Sequence, residues 1–285
     1  YIADGVFPII DGVNKQAKVM KNKKGAWFRD EAEVRAPGSP AVIIESGVGT
    51  ENLDPVNYAA AGKVTDELRA GANEPGALPI QPDMNALNLI ANALDLKREI
   101  RVSALVHATD WSGAGAGGVD AEGHWGDSTA ASDTFLSDLV TGRDTILSNT
   151  GLLPNTLALS YPAWSKLQYA PALLALMYPT SLGPNSIVTL AGLAALALVD
   201  TIFVGTAIKN TAEETLVDGL TSEYVWGTDG GTHTKGFGFL YYRPLSLGLD
   251  VASAGLQYRL KNSISGQARL STSWRIEGEH SDYYD

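Results

Sequence analysis

The amino-acid sequence predicts an α+β fold, and three features of its hydrophobic patterning support this class. Apolar residues recur at spacings of three and four between positions 82 and 109, which predicts one long helix. Residues 154–206 follow the order strand, helix, helix and strand, which is typical of a small α/β unit. From residue 223 onward, short runs of alternating apolar residues separated by Gly and Asn indicate a mainly antiparallel β region.

Composition excludes several classes of protein. The 285-residue chain is 45% hydrophobic, carries a net charge of -11 and contains no cysteine. Disulfide frameworks, thiol catalysis and cysteine-ligated zinc are therefore excluded. An acidic chain lacks the clustered cations that grip phosphates, so we expect any nucleic acid to be contained rather than gripped. The longest apolar run, 190–199, is about ten residues and falls short of a membrane span.

The first part of the chain predicts extended structure with little core of its own. It begins at Tyr1 without an initiator Met, which indicates a processed or trimmed terminus. Residues 1–14 are short and turn-marked, so we expect an extended arm. Residues 15–35 then carry seven of the 21 Lys and Arg residues. This basic stretch is either a disordered tail or a projecting hairpin that gains order on another molecule, with 41–44 as its returning strand.

The middle of the chain predicts mainly helices. Short helical pieces are expected at 54–61 and 64–69, and the long helix over 82–109 would span about 40 Å. A glycine-rich connection at 112–119 follows. The remaining predictions are a helix from about 132 that stops at Gly151, a buried strand at 154–159, a helix opened by Tyr161-Pro162 and capped by Ser160, a helix over 186–199 and a strand over 200–206. The C-terminal strands are expected to pack against the long helix.

Candidate catalytic and ligand-binding patterns are weak. Gly126-Asp127-Ser128 matches a short nucleophile motif, with His280 as a conceivable base, but no buried strand precedes it. The glycines of 113–118 follow a helix and lack a Lys-Ser/Thr pair, which favours a hinge over a phosphate loop. The four histidines are scattered without ligand spacing. We therefore predict no enzyme activity, no catalytic residue, no cofactor and no metal site.

Several segments, taken in order, resemble one protein family. They are 28–39 (FRDEAEVRAPGS), Tyr58, 66–75 (DELRAGANEP), 149–159 (NTGLLPNTLAL), 164–167 (WSKL), 204–207 (VGTA), 210–212 (NTA), 225–227 (VWG) and 240–244 (LYYRP). Together they closely resemble tailed-bacteriophage major capsid proteins. The resemblance covers nearly the whole chain, although each piece alone is a modest signal.

This resemblance implies a Hong Kong 97-type capsid fold, which encapsulins share. Its parts would be an N-terminal arm at 1–16, an E-loop hairpin at 17–52, a P-domain at 53–129, an A-domain at 130–220, and strands at 221–285 that return to the P-domain. The implied function is a shell subunit that forms hexamers and pentamers of an icosahedral head around double-stranded DNA. Implied partners are further copies of the chain and, in some relatives, portal, scaffold and decoration proteins. The implied location is the virion, assembled in the bacterial cytoplasm, with no membrane partner.

The resemblance also turns the basic hairpin into a candidate contact between subunits. Exposed ion pairs there would mainly fix register, whereas buried aromatic residues would anchor the contact. The predicted contact residues are Lys21, Lys23, Lys24, Trp27, Phe28, Arg29 and Arg35. Two alternatives remain open: an encapsulin-type compartment, which would present an N-terminal helix where this chain predicts an extended arm, and a serine hydrolase that uses Ser128.

Overall fold

A computed structural model describes residues 1–12, 14–22, 30, 32, 34–35, 37–38, 48–72, 81–111, 124–126, 133–178, 186–212, 219, 221–227, 236–246, 253–262 and 266–285. The helices in these ranges are α1 (Ala3–Val6), α2 (Asp66–Ala72), α3 (Pro82–Ala108), α4 (Phe135–Thr150), α5 (Tyr161–Leu167), α6 (Pro171–Met177) and α7 (Leu190–Ala197). The strands are β1 (Ile9–Gly12), β2 (Ala17–Asn22), β3 (Val48–Leu53), β4 (Gly62–Thr65), β5 (Thr156–Ser160), β6 (Thr201–Gly205), β7 (Ile208–Asn210), β8 (Ser222–Tyr224), β9 (Gly238–Tyr241), β10 (Gln257–Leu260), β11 (Ser273–Ile276) and β12 (Ser281–Tyr284). Helices and small sheets are both present, so the α+β prediction is confirmed.

The chain folds as two units, which we describe separately. Unit 1 comprises Tyr1–Phe7, Tyr58–Arg243 and Leu270–Asp285. Unit 2 comprises Pro8–Asn57 and Pro244–Arg269.

Helix α3 is the longest element of unit 1 and confirms the predicted helix at 82–109. Pro82 occupies its first turn, where the missing amide hydrogen has no partner to lose. One buried stripe, Ile90, Val102 and Val106, faces the interior. Ile90 packs on β4 so closely that a Cβ at Gly62 would lie 3.0 Å from its Cδ1 atom. The long helix therefore serves as the support on which the other parts of unit 1 lie.

The predicted α/β unit contributes the main hydrophobic core of unit 1. Strand β5 is buried along its whole length. It pairs in parallel with β6 and antiparallel with β9. Gly151 ends α4 in the left-handed conformation with φ 67°. Ser160 caps α5, because its Oγ accepts a hydrogen bond from the Ala163 amide at 3.3 Å. The core between sheet and helices is formed by Phe135, Leu139, Leu157, Leu159, Trp164, Leu167, Ala170, Leu173, Val188, Leu193, Ala197 and Val199.

Several local predictions are wrong because tertiary contacts outweigh local propensity. No helix forms at 54–61. The helix predicted at 64–69 is confirmed from Asp66 onward as α2, whereas Val64 lies in strand β4, where β12 pairs with it. Helix α7 is shorter than the predicted 186–199, since Thr189 caps its start and Leu198 ends it with φ 55°. Helix α6 was not predicted.

The C-terminal strands are distributed among several sheets. Strands β8, β9, β11 and β12 pair antiparallel, which confirms the mainly antiparallel prediction, and β10 is the exception because it pairs with β1 in parallel. The expected packing on the long helix holds for the segment after β8. There the Ser103 hydroxyl of α3 donates to the Val225 carbonyl oxygen at 2.7 Å.

The sequence predicted an extended N-terminal segment, but the structure shows that this segment is not extended throughout. Residues Ala3–Val6 form one helical turn, and Ala3, Val6 and Phe7 are buried. The Phe7 ring packs near Trp111, Phe239 and Tyr241. The Tyr241 hydroxyl donates to the Val6 carbonyl oxygen at 2.8 Å, and burial raises the pKa of that hydroxyl. The segment packs into unit 1 because its apolar residues are buried against aromatic side chains there.

A buried carboxylate fixes the N-terminal segment to α3. Glu99 is fully buried, and its Oε1 accepts from the Ile2 amide at 2.9 Å and from the Trp226 indole at 2.6 Å. Its Oε2 accepts from the Ala3 amide at 2.8 Å. Three donors from two distant segments thus meet on one side chain of the long helix. Buried charge is tolerated there because hydrogen bonds satisfy it.

We predict that Glu99→Gln destabilises unit 1. The amide would turn an NH₂ group toward N–H donors, which leaves a buried donor unsatisfied and costs about 1–3 kcal/mol in the free energy of unfolding. Urea denaturation followed by tryptophan fluorescence measures this change. Glu67→Gln is the control, because Glu67 is an exposed carboxylate on α2. Equal stability of the two variants would contradict the role assigned to Glu99.

Candidate assembly surface

Unit 2 contains the two ends of the predicted hairpin. Strands β2 and β3 pair antiparallel, with Ala17 opposite Leu53 and Asn22 opposite Val48. The returning strand predicted at 41–44 lies outside the described residues, and the return strand that the structure shows is β3. Pro37-Gly38 forms a turn, as predicted, with Gly38 at φ 89° in the region that favours glycine. The hairpin prediction is thus confirmed at its base.

The structure describes only some of the predicted contact residues. The backbone of Lys21 lies in β2 opposite Gly49, and Arg35 is exposed. Lys23, Lys24, Trp27, Phe28 and Arg29 lie outside the described residues. The structure therefore places two of the seven and does not test whether any of them touches another subunit.

A second strand pair in unit 2 stands next to the hairpin in the chain. Strands β1 and β10 run parallel, and Arg259 and Lys261 both pair with Asp11, at 2.6 and 2.7 Å. Hydrogen bonds from these two cations hold the pKa of Asp11 well below its usual range. The Tyr258 hydroxyl donates to the carbonyl oxygen of Asn14 at 2.8 Å, just before β2 begins. These contacts fix the chain where it enters the hairpin.

In unit 1, the three-stranded sheet β11-β12-β4 carries a cluster of charges on its helix-facing side. We call it the Arg69 cluster, and its members are Asp66, Arg69, Asp83, Arg275, Asp282 and Tyr284. Arg69 binds the Asp83 carboxylate at 2.6 Å and also binds Asp282. Arg275 binds Asp66 at 2.6 Å. One cluster therefore joins α2, the start of α3 and the two C-terminal strands.

The charges of the Arg69 cluster shift one another's pKa values in consistent directions. The Arg69 guanidinium lowers the pKa of Asp83, and the Arg275 guanidinium lowers the pKa of Asp66. The carboxylates in turn raise the pKa of both arginines. The charged forms of these side chains are therefore the ones that the folded state favours.

The opposite side of the same sheet presents aromatic residues to solvent. The Trp274 and Tyr283 rings stack with centroids 5.6 Å apart and 8° between their planes. Lys63 lies over the Tyr283 ring at 5.7 Å and pairs with Glu279 at 2.6 Å. Trp274 and Ile276 nevertheless remain 43% and 39% exposed. This is an amphipathic surface of the kind that protein partners use.

The catalytic alternative gains no support from the described residues. Ser128 and the glycines of 113–118 lie outside them. His280 follows a 3₁₀ turn, and its carbonyl oxygen accepts from the Asp66 amide at 2.9 Å. Gly126 lies elsewhere in unit 1, against Lys166 of α5. Nothing in the described part brings the two halves of the Ser128 hypothesis together.

Neither a metal-binding cluster nor a membrane-spanning helix occurs in the part of the chain that the structure describes. No group of three or more His, Cys, Asp or Glu side chains there could hold a metal ion. None of the described helices combines the length and the apolar character that crossing a bilayer requires.

Comparison with known proteins places the fold. No model of a protein family matches the chain, and no curated protein matches it. The chain is similar to the crystal structure of a phage-related protein from Bordetella bronchiseptica RB50, with 23% sequence identity and a TM-score of 0.65. The match covers 99% of this chain and 84% of the Bordetella chain. The chain shares that fold. The chain is also similar to the capsid structure of the cyanophage P-SCSP1u, with 10% sequence identity and a TM-score of 0.55. That match covers 98% of this chain and 80% of the cyanophage chain.

Sequence reasoning missed the polar anchors of both units. Neither Glu99, nor Asp11 with its two cations, nor the Arg69 cluster was identified as important. Their partners are far apart in sequence, for example 213 residues between Arg69 and Asp282. A weak signal did exist, because an isolated Glu interrupts the buried stripe of α3.

We predict that the Arg69 cluster makes the stability of the C-terminal strands pH-dependent. The folded-state pKa values of Asp66 and Asp83 are lowered, so their contribution is complete above the unfolded-state value of about 4 and is lost as the pH falls through the lower folded-state values. Arg69→Ala should reduce this acid-dependent loss. The measurement is the urea midpoint between pH 3 and pH 7.

The control for this experiment is Lys97→Ala, which removes one exposed cation from α3 without touching the Arg69 cluster. Its profile should follow that of the unmodified chain. An Arg69→Ala profile as steep in acid as the control would show that these ion pairs do not carry the pH dependence.

Proposed function

We propose that this chain is the structural subunit of a phage head, assembling as hexamers and pentamers of an icosahedral shell around double-stranded DNA. The observation that carries this proposal is the fold shared over 98% of the chain with a cyanophage capsid structure. The paired base of a basic hairpin, at the position where the sequence resembles a capsid E-loop, supports it. The proposal implies a non-enzymatic protein.

The finer architecture follows from the same proposal. The fold would be of the Hong Kong 97 type, with the hairpin as E-loop, α3 as the spine of the P-domain, and the β5–β6 unit within the A-domain. The chain would reside in the virion after assembly in the bacterial cytoplasm. Portal, scaffold and decoration proteins are the partners that such a head can require.

The contact between subunits would use the hairpin. A head-to-tail contact that closes into rings needs two different surfaces on each copy, and a hairpin laid on the neighbour supplies one of them. Trp27 and Phe28 would anchor it, because buried aromatic side chains dominate interface energies. Lys21, Lys23, Lys24, Arg29 and Arg35 would contribute about 0.2–1 kcal/mol each as exposed ion pairs and would mainly fix the register.

The net charge fits a container better than a DNA-binding protein. With 32 acidic against 21 basic residues, a shell of many copies is negative overall. Such a shell repels the DNA backbone instead of gripping it, so the genome would be held by enclosure.

Assembly is the direct test of the proposed function. The purified chain should form closed shells or ring-shaped capsomers, visible by negative-stain electron microscopy and sedimenting far faster than a 30.1 kDa monomer. Particles from an infected culture that contain this chain should protect double-stranded DNA from added nuclease. A chain that stays monomeric under all assembly conditions would contradict the proposal.

We predict that Trp27→Ala lowers the yield of particles without lowering the stability of the monomer. An interface anchor that is exposed before assembly costs nothing in the isolated subunit, whereas truncating it costs the contact about 2 kcal/mol or more. Analytical ultracentrifugation gives the particle fraction, and thermal unfolding gives the monomer stability. A matched control is Tyr169→Ala, which removes an exposed aromatic residue from unit 1 and should change neither property.

The competing explanation for Trp27 is ordinary packing inside its own hairpin. In that case Trp27→Ala would lower the unfolding temperature of the monomer and leave assembly unchanged at temperatures where the monomer is folded. Loss of both properties in parallel would also count against an anchoring role.

A second candidate is an encapsulin-type compartment, and one observation favours it. The extended N-terminus that separated this chain from encapsulins is replaced by a helical turn at Ala3–Val6. The turn is only four residues long, and its apolar residues Ala3 and Val6 are buried in unit 1, so we retain the phage head as the first proposal. Particle contents separate the two, since a compartment would contain a protein cargo and a head would contain DNA.

A further inference from the structure

The C-terminal half of helix α3 is buried on one side and exposed on the other. Val102, Ser103 and Val106 are buried in unit 1. On the other side, residues at spacings of three and four are exposed, and at about 100° per residue they fall within an arc of about 100°. This exposed row spans about 16 Å, or about three helical turns. We call it the α3 stripe, and its members are Lys97, Arg101, Ala104, Leu105 and Ala108.

The two cations of the α3 stripe have no carboxylate partner among the described residues. Other cations of unit 1 do pair with carboxylates, namely Lys63, Arg69, Arg98, Lys209 and Arg275. The one carboxylate of α3 between positions 97 and 108 is that of Glu99, which is buried and satisfied by N–H donors. The exposed side of this half of α3 is therefore a local positive surface on a chain with a net charge of -11.

An aromatic ring orients one of these cations. The guanidinium carbon of Arg101 lies 4.4 Å from the ring centroid of Tyr58, which is itself 45% exposed. A guanidinium that stacks on an aromatic face keeps N–H donors at its edge, and these donors match a carboxylate in the bidentate manner. Arg101 is thus held in place before a partner arrives, which lowers the entropic cost of binding.

The other end of the α3 stripe is apolar. Leu105 is 60% exposed, and Ala104 and Ala108 lie beside it. Small side chains next to Leu105 leave room for a large apolar side chain of a second helix, since helices pack by fitting ridges into grooves. A phosphate backbone gains nothing from apolar contacts, and its binding needs more clustered cations than two. An acidic amphipathic protein segment fits both ends of the stripe, whereas nucleic acid fits only one.

We propose that the α3 stripe binds an acidic amphipathic helix of a partner protein. Carboxylates of that helix pair with Lys97 and Arg101, and its large apolar side chains pack on Leu105. Helices that bind in this way present their anchors at spacings of three and four, which is also the spacing of the stripe. Because the charged groups are exposed, salt weakens the binding. The contact needs neither a closed shell nor a second copy of the chain.

Peptide binding tests the charged end of the α3 stripe. The probe is a fluorescein-labelled synthetic peptide of about four helical turns, with Glu on one face of its first two turns and Leu on the same face of its last two. Fluorescence anisotropy with the full chain at low salt should show saturable binding. Lys97→Glu should weaken this binding about fivefold, because it replaces an attraction with a repulsion. The matched control is Lys166→Glu, which reverses an exposed cation on α5 and should leave the binding unchanged.

The apolar end of the stripe is tested by a second pair of variants. Leu105→Ala removes most of an exposed apolar side chain and should weaken binding of the same peptide about fivefold. Leu176→Ala is the matched control, since Leu176 is 57% exposed on α6. Circular dichroism and the unfolding midpoint should match those of the unmodified chain for all four variants, because each changed side chain is exposed.

Two further probes decide between classes of partner. A peptide with the same residues distributed around its helix should bind about tenfold more weakly, and equal binding of the two peptides would overturn the proposal. It would also be overturned if the amphipathic peptide did not bind, or if a short DNA duplex bound more tightly than the peptide and lost its affinity in Lys97→Glu. These measurements use the unassembled chain, so a negative result leaves the proposed function standing, and failure to form particles leaves the α3 stripe standing.

Discussion

The carboxylate of Glu99 is the constraint on which unit 1 depends. It is a charged group with no exposed surface, placed in the middle of a 27-residue helix, and it is tolerated because three N–H donors satisfy it. Those donors come from the N-terminal segment and from Trp226. The helix can therefore orient both segments at once, and Phe7 and Tyr241 close the aromatic pocket over them.

Local sequence signals were sufficient to predict the elements whose structure depends on residues close to them in the sequence. The long helix was predicted because its apolar periodicity is regular, and the β5–α5 junction was predicted because Ser160 and Pro162 occupy the positions that helix starts favour. Gly151 ended α4 as expected because the left-handed conformation suits glycine. The base of the hairpin was predicted in outline, and the described part of its return is β3, whereas the strand predicted at 41–44 lies outside the described residues.

Contacts between distant residues account for what the sequence did not predict. Val64 forms a strand instead of a helix because β12, more than 200 residues later, pairs with it. The one-turn helix α1 depends on Glu99, 97 residues from Ile2. A single sequence carries the residues of such contacts but not their partners, and the candidate contact surface belongs to this class.

The central claim is that the basic hairpin of each copy lies on an adjoining copy within a closed shell. A cryo-electron microscopy reconstruction of the assembled chain tests it most directly. The account predicts icosahedral particles in which density for residues 17–53 crosses from one subunit to the next. A reconstruction in which this hairpin folds back on its own subunit, or preparations that contain only separate monomers, would contradict it.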